Sequence, residues 1–169
     1  MRPSHAFLLL SCACAGSDSK TPREETDSGI PSLDVTERLG PGEVRAGPIV
    51  SGAGLFGGVS AEGREGDFKI YNANVQFVVQ GVREGDYYEA WGGGLIDADL
   101  VRGGGVLGRD KLEDLNLAFG LSRLFHADTV EVVSDGTDGG DAVVRAVGSD
   151  VPWQFMTGLF ELDQPNIPD

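Results

Sequence analysis

Two aspartates one residue apart, Asp97 and Asp99, lie in the stretch YYEAWGGGLIDADLVR, behind two tyrosines, a tryptophan and three glycines. In a strand, residues two apart project from one face with Cβ atoms roughly 7 Å apart. That separation superficially matches the ~6.5 to 9.5 Å between the carboxyl groups of an inverting glycosidase. The match misleads, because those groups flank a scissile bond from opposite sides, whereas neighbours on one strand face point in parallel. A D-x-D cation site is geometrically easier, although its third ligand cannot be named. The same carboxylates can accept hydrogen bonds from backbone amides of the adjacent glycine turns, and the residues favour this structural role. The ligand-facing candidates of the stretch are therefore Asp97, Asp99 and Arg102, together with Tyr87, Tyr88 and Trp91, whose rings suit stacking on sugars.

Three other constellations invite chemistry. DGTDGGD places Asp135, Asp138 and Asp141 evenly in a loop, and oxygen ligands on a flexible loop suit calcium. The spacing is not that of an EF-hand, and an ordinary acidic hairpin loop accounts for it as well. Gly52, Gly54 and Gly57 satisfy G-x-G-x-x-G just after Ile49 and Val50. The helix that a dinucleotide turn needs would have to accommodate Gly57, Gly58, Gly63 and Gly66, each costing about 1 kcal/mol relative to alanine. A glycine-rich β-turn is the better account. Finally, His126 is the one histidine outside the first five residues, and no H-x-H, H-E-x-x-H, G-x-S-x-G or P-loop pattern occurs. His126 is read as a structural residue.

The elements that must position these residues are mostly strands. The 26 glycines among 169 residues are about twice the ordinary ~7% and fall in short runs, which implies many tight turns. In GDFKIYNANVQFVVQG, Phe68 and Ile70 alternate with Lys69 and Tyr71, Asn72 to Asn74 make a turn, and Val75, Phe77 and Val79 alternate with Gln76 and Val78. This is a half-buried β-hairpin pattern. DTVEVVSDG and DAVVRAVG form a second pair around Ser134 to Asp141, and WQFMTGLFEL is a last strand candidate. One short helix is expected from Asp110 to Gly120, because Asp110 and Glu113 stand in capping-box order before Leu112, Leu115 and Phe119. With no helices alternating with the strands, a mostly β fold is predicted, an antiparallel β-sandwich with one short helix.

Charge and leader bound the setting. A formal charge of -14 repels a phosphate backbone, so no nucleic-acid partner is expected. MRPSHAFLLLSC carries Arg2 and His5 before the apolar run Ala6 to Leu10 and then a small residue and Cys12. Leu9-Leu10-Ser11-Cys12 resembles a bacterial lipobox, in which cleavage before the cysteine leaves it free to be acylated. The apolar run is shorter than the ~7 to 15 residues of such regions; a start codon upstream of Met1 would lengthen it. Cys12 and Cys14 could alternatively form a disulfide or a C-x-C metal half-site. Residues 1–11 are thus read as a lipoprotein signal peptide, 12–43 as a flexible tether rich in Ser, Thr, Asp, Glu, Pro and Gly, and 44–169 as the β-sandwich domain. LFELDQPNIPD passes from a strand into a proline-containing connector, so the domain is expected to be incomplete at its C-terminus, and the isolated chain to fold poorly or to self-associate through an open edge.

In order, GDFKIYNANVQFVVQG, GGGLIDADLVR and VEVVSDGTDGGDAVVRAVGSD resemble the N-terminal β-rich domain of large secreted lipoproteins of myxobacterial type. The resemblance covers about Val44 to Asp169 and implies the opening strands of a mutarotase-like supersandwich. Such domains sometimes precede a metallohydrolase domain of the polymerase-and-histidinol-phosphatase type, whose histidine-rich motif has no counterpart in this sequence. The function expected is a non-catalytic β-sandwich module of a surface lipoprotein, exported to the cell envelope and anchored to a membrane through Cys12. Its interaction or scaffolding role would involve a polysaccharide or protein partner, or downstream domains of the same polypeptide. No cofactor is expected beyond the calcium alternative. The rival readings are the N-terminal fragment of a larger carbohydrate-active or metal-dependent hydrolase, and a carbohydrate-binding module.

Overall fold

Period-2 alternation in the sequence becomes two antiparallel sheets. A computed structural model describes residues 6–12, 33–85, 91–103, 106–119 and 123–152, with residues 6–12 described by their backbone alone. The strands are β1 (Ala6–Cys12), β2 (Val44–Pro48), β3 (Phe68–Asn72), β4 (Val75–Val79), β5 (Leu95–Leu100), β6 (Ala118–Phe119), β7 (Arg123–Asp135) and β8 (Ala142–Pro152). One sheet has the order β2-β3-β4-β5, the other β1-β8-β7-β6. The last strand candidate, from Trp153 onward, lies outside the described residues.

Both expected hairpins are present, and side chains fix their turns. Between β3 and β4, Asn72 Oδ1 accepts the N–H groups of Asn74 and Val75 at 2.8 and 2.9 Å, a local closure that sets the register Tyr71 opposite Gln76. Between β7 and β8, Gly136 and Gly139 both take φ near +79°, the left-handed conformation that lets the loop reverse. Strand β7 has 13 residues against 11 in β8, and two register shifts absorb the difference, at Asp128 and at Val133.

The two sheets pack face to face. Val44, Ala46, Ile70, Val79 and Leu95 of the first meet Ala142 and Val144 of the second, with Phe68, Phe77, Val130 and Val132 around them. Each fully buried aliphatic side chain in this layer contributes about 1.5 to 3 kcal/mol. Contrary to the half-buried expectation, the other face of the first sheet is covered as well. Tyr71, Val78 and Ile96 bury against Val35, Leu39, Ile49 and Phe56.

That second layer corrects the start of the folded part. Val35 and Leu39 come from the segment read as tether, yet they are only 3% and 6% exposed. Tyr71 Oη donates to the Glu37 carbonyl at 2.9 Å, and burial pushes its phenol up to about 12. A Cβ at Gly47 would meet Val35 Cγ1 at 2.7 Å, so the close approach of this segment relies on a glycine. Residues 33–43 are therefore part of the fold. Ala6–Cys12, across the end of the segment expected to be a signal peptide, pairs antiparallel with β8 from Ala6 opposite Gly148 to Cys12 opposite Ala142.

The helix expected over Asp110 to Gly120 is absent. The described part of that segment, Asp110 to Phe119, holds only isolated bridges at Asp110 and Leu115 and the short β6, and Leu115 exchanges backbone hydrogen bonds with Leu95, N to O at 2.9 Å and O to N at 3.3 Å. Pairing to the edge of β5 satisfies backbone groups that a short, weakly nucleated helix would satisfy less well. The helical content of the described residues is one 3-10 turn, Gly52–Gly54, where the G-x-G-x-x-G pattern lies.

Candidate functional site

Strand β5 carries the aspartate pair, and an irregularity in its pairing aims it. Val78 stands opposite Asp97 while Val79 stands opposite Leu95, so Ile96 is an extra residue in the ladder. Such a bulge re-aims side chains locally. Here it places Leu95 in the layer between the sheets, while Ile96 joins the outer layer with Val78. Asp97 is turned toward the loop that crosses that outer layer.

Asp97 is fully buried and acts as a clamp. Its Oδ1 accepts the N–H of Glu62 at 2.8 Å and its Oδ2 that of Gly63 at 2.9 Å. Gly63 must be glycine for this, because a Cβ there would lie 2.6 Å from Asp97 Oδ2. Desolvation pushes the Asp97 carboxyl up to about 6, overriding the two amide hydrogen bonds that favour the charged form; Asp110 and Asp67 add to the rise. Asp99, two residues on, accepts the N–H of Leu100 at 2.8 Å and of Arg109 at 2.7 Å, and pairs with the Arg102 guanidinium. Burial raises Asp99, but the Arg102 hydrogen bond and the two amides outweigh it and hold it below the usual carboxylate range.

The triple glycine joins the clamp to the rest of the fold. Gly93 N–H donates to Gln80 O at 2.8 Å and Gln80 N–H donates to Gly94 O at 2.9 Å, while Gly92 and Gly93 have φ of +82° and +84°. These values lie in the region where a Cβ is strained. Trp91 precedes them half-buried, its ring 5.6 Å from that of His126 and tilted by 38°. His126 Nδ1 lies 3.8 Å from Asp128. Trp91 thus faces a neighbouring strand. Tyr87 and Tyr88 lie outside the described residues, so the aromatic trio is represented by Trp91 alone.

The acidic loop between β7 and β8 closes on itself. Asp135 Oδ1 accepts the Thr137 N–H at 2.8 Å and its hydroxyl at 2.7 Å, and Asp138 Oδ1 accepts the Gly140 N–H at 2.9 Å. Asp141 is exposed and contributes its carbonyl to the Ser134 hydroxyl at 2.6 Å. Among the described residues, no group of three or more His, Cys, Asp or Glu side chains is arranged to hold a metal ion.

Sequence reasoning misses the burial of three polar residues, Asp67, Lys69 and Asp110. Asp67 is fully buried; its carboxylate accepts the N–H groups of Arg64 at 2.8 Å and Gly81 at 2.9 Å and forms a two-pronged pair with Arg83 Nε and Nη2, both at 2.9 Å. Asp110 was read as a helix cap, and its Oδ1 does accept the Leu112 N–H at 3.1 Å. It also accepts the Ala98 N–H of β5 at 2.9 Å, a long-range bond in place of a helix. Lys69 is 7% exposed, its ammonium 4.8 Å from the Tyr71 ring centroid and 6.0 Å from that of Phe56. Desolvation lowers it to about 8, with Asp34 opposing the shift. The only sequence signal for these was the position of Asp67 and Asp110 beside glycine-rich turns.

One pH prediction arises from Asp97. Its folded-state value of about 6 lies above the unfolded value of about 3.9, so the neutral form is favoured by folding and the contribution is fully present below pH 4. It is lost as pH rises from about 4 through about 6. In urea unfolding, the stability of the wild-type chain minus that of Asp97→Asn is expected to fall across that window by up to about 1.4 kcal/mol per pH unit and then level off. A flat difference from pH 4 to 7 contradicts the assignment.

No protein-family model matches the chain, and neither curated proteins nor solved structures match it. The geometry above stands on its own.

Proposed function

We propose that this chain is a non-catalytic β-sandwich module of a surface lipoprotein, exported and held at the cell envelope by acyl chains on Cys12, and that it works by binding rather than by chemistry. The supporting observation is the state of the aspartate pair. Both carboxylates of β5 accept backbone amides, Asp97 from Glu62 and Gly63 of the loop above it, Asp99 from Leu100 of its own strand and from Arg109. A general acid or base must reach the proton it transfers, and these oxygens are engaged in holding the fold. The lipobox-like Leu9-Leu10-Ser11-Cys12 supports the anchor. In this reading the pairing of Ala6–Cys12 with β8 belongs to the precursor, and processing leaves β8 as a sheet edge.

Mass spectrometry of the chain recovered from the envelope of a bacterial host with lipoprotein-processing enzymes tests the anchor. The expected product begins at Cys12 and carries acyl chains, and Cys12→Ala abolishes both cleavage and acylation. Recovery of a chain that retains residues 1–11 with an unmodified Cys12 thiol overturns the anchor.

A further inference from the structure

Strand β8 has two flanks. β7 pairs along one of them from Ala142 to Pro152, and β1 lies on the other, facing Ala142 to Gly148. The chain after Pro152 lies outside the described residues, and it opens on WQFMTGLFEL, the last strand candidate of the sequence. A strand that follows β8 through a tight turn must return antiparallel beside it. With one flank held by β7, its path is the flank on which Ala6–Cys12 lies.

The two segments cannot share that flank. A turn of about two or three residues would set Phe155 or Met156 opposite Pro152, and Leu162 opposite Arg145 or Ala146. In either register Ala146 to Gly148 would be paired twice, since β1 already faces them. Chain connectivity favours the later segment. It adjoins β8 directly, whereas about 130 residues separate Cys12 from Ala142, and closing the longer loop costs more entropy. Its composition suits the place too. Phe155, Leu159 and Phe160 are good strand residues, and Pro165, with no N–H for a ladder, ends the run. With the longer turn Leu162 would share a face with Ala146, which together with Ala142 and Val144 is buried on β8.

We infer that the outer edge of β8 is a strand-exchange site, held by Ala6–Cys12 in the precursor and taken by residues 155–162, folding back from Pro152, when the leader is withdrawn. Withdrawal by cleavage before Cys12 rests on the function proposed above; the competition for the edge does not. A freed edge left open is a template for pairing with other chains. A segment tethered beside that edge has a higher effective concentration there than a second copy does, so the occupant is the chain's own continuation.

Segment-resolved amide hydrogen exchange of the full chain carrying Cys12→Ser, and hence uncleaved and unacylated, tests it. In this parent the amides of Ala6–Cys12 are expected to be protected and those of 155–162 to exchange freely. Leu8→Pro with Leu10→Pro removes donors from β1 and should unpair it. Protection across 155–162 should then rise by roughly tenfold or more, with the chain monomeric in sedimentation. Phe7→Pro with Leu9→Pro is the second variant, because alternate amides of an edge strand point at its neighbour. Adding Phe160→Pro to either pair should abolish the gain. Residues 155–162 unprotected in both leader variants, or already protected in the parent, overturn the inference, as do an unprotected Ala6–Cys12 in the parent and a gain that survives Phe160→Pro. A leader variant that dimerises with 155–162 unprotected overturns it in favour of a second copy at the edge. None of these results depends on processing, so a chain that is never cleaved or acylated at Cys12 overturns the anchor while leaving the competition intact.

Discussion

Gly93→Ala is expected to destabilise the chain by about 3 kcal/mol, lowering the melting temperature by roughly 10 °C. Two independent costs combine. Gly93 has φ of +84°, where a residue with a Cβ is strained by about 1 kcal/mol or more. The added Cβ would also stand 2.8 Å from Phe125 Cε1, 3.0 Å from Ala146 Cβ and 3.2 Å from Ala127 Cβ, in the cluster where this loop meets the second sheet. Overpacking of that kind costs about 1 to 3 kcal/mol. Gly139→Ala separates the two contributions, because Gly139 has φ of +79° and nothing within 4 Å of its would-be Cβ. It should cost about 1 kcal/mol. Equal losses in the two variants, measured by urea unfolding, would remove the packing half of the argument.

Asp67→Ala should be comparably damaging, at about 3 to 5 kcal/mol. The substitution leaves the Arg64 and Gly81 amides without their acceptor and deprives Arg83, whose side chain is only 21% exposed, of its carboxylate. Losing one member of a buried ion pair is costly because the other charge stays desolvated. Removing both is less so, and Asp67→Asn combined with Arg83→Met should cost less than the sum of the single changes. Strict additivity in that cycle would mean that the pair contributes little beyond its separate hydrogen bonds.

What could be read in advance divides along the length scale of the interactions. The hairpins β3–β4 and β7–β8 were readable because alternation, Asn72 and the Gly136–Asp141 loop act within a few residues. The helix over Asp110 to Gly120 was misread because its local signals are genuine but weaker than a pairing between Leu115 and Leu95, twenty positions apart. Val35 and Leu39 were missed because the sparse aliphatics of that polar run, Ile30, Leu33, Val35 and Leu39, give no regular period, and the burial of Val35 and Leu39 depends on Tyr71, Ile96 and Val78 arriving from elsewhere. The structural role of Asp97 and Asp99 followed from the neighbouring glycines. Their donors did not, since Glu62 and Gly63 lie 35 and 34 positions from Asp97. The bulge at Ile96, which lets Asp97 reach that loop, leaves no local mark in the sequence.

Asp97 and Asp99 hold the loops around β5 in place. Amide hydrogen exchange on the wild-type chain, Asp97→Ala and Asp99→Ala tests this most directly. The structure predicts selective loss of protection at Glu62 and Gly63 in the first variant and at Leu100 and Arg109 in the second, each with lowered stability to urea. Unchanged protection at all four amides, with unchanged stability, would contradict the account and return both carboxylates to the pool of groups available for a ligand or a reaction.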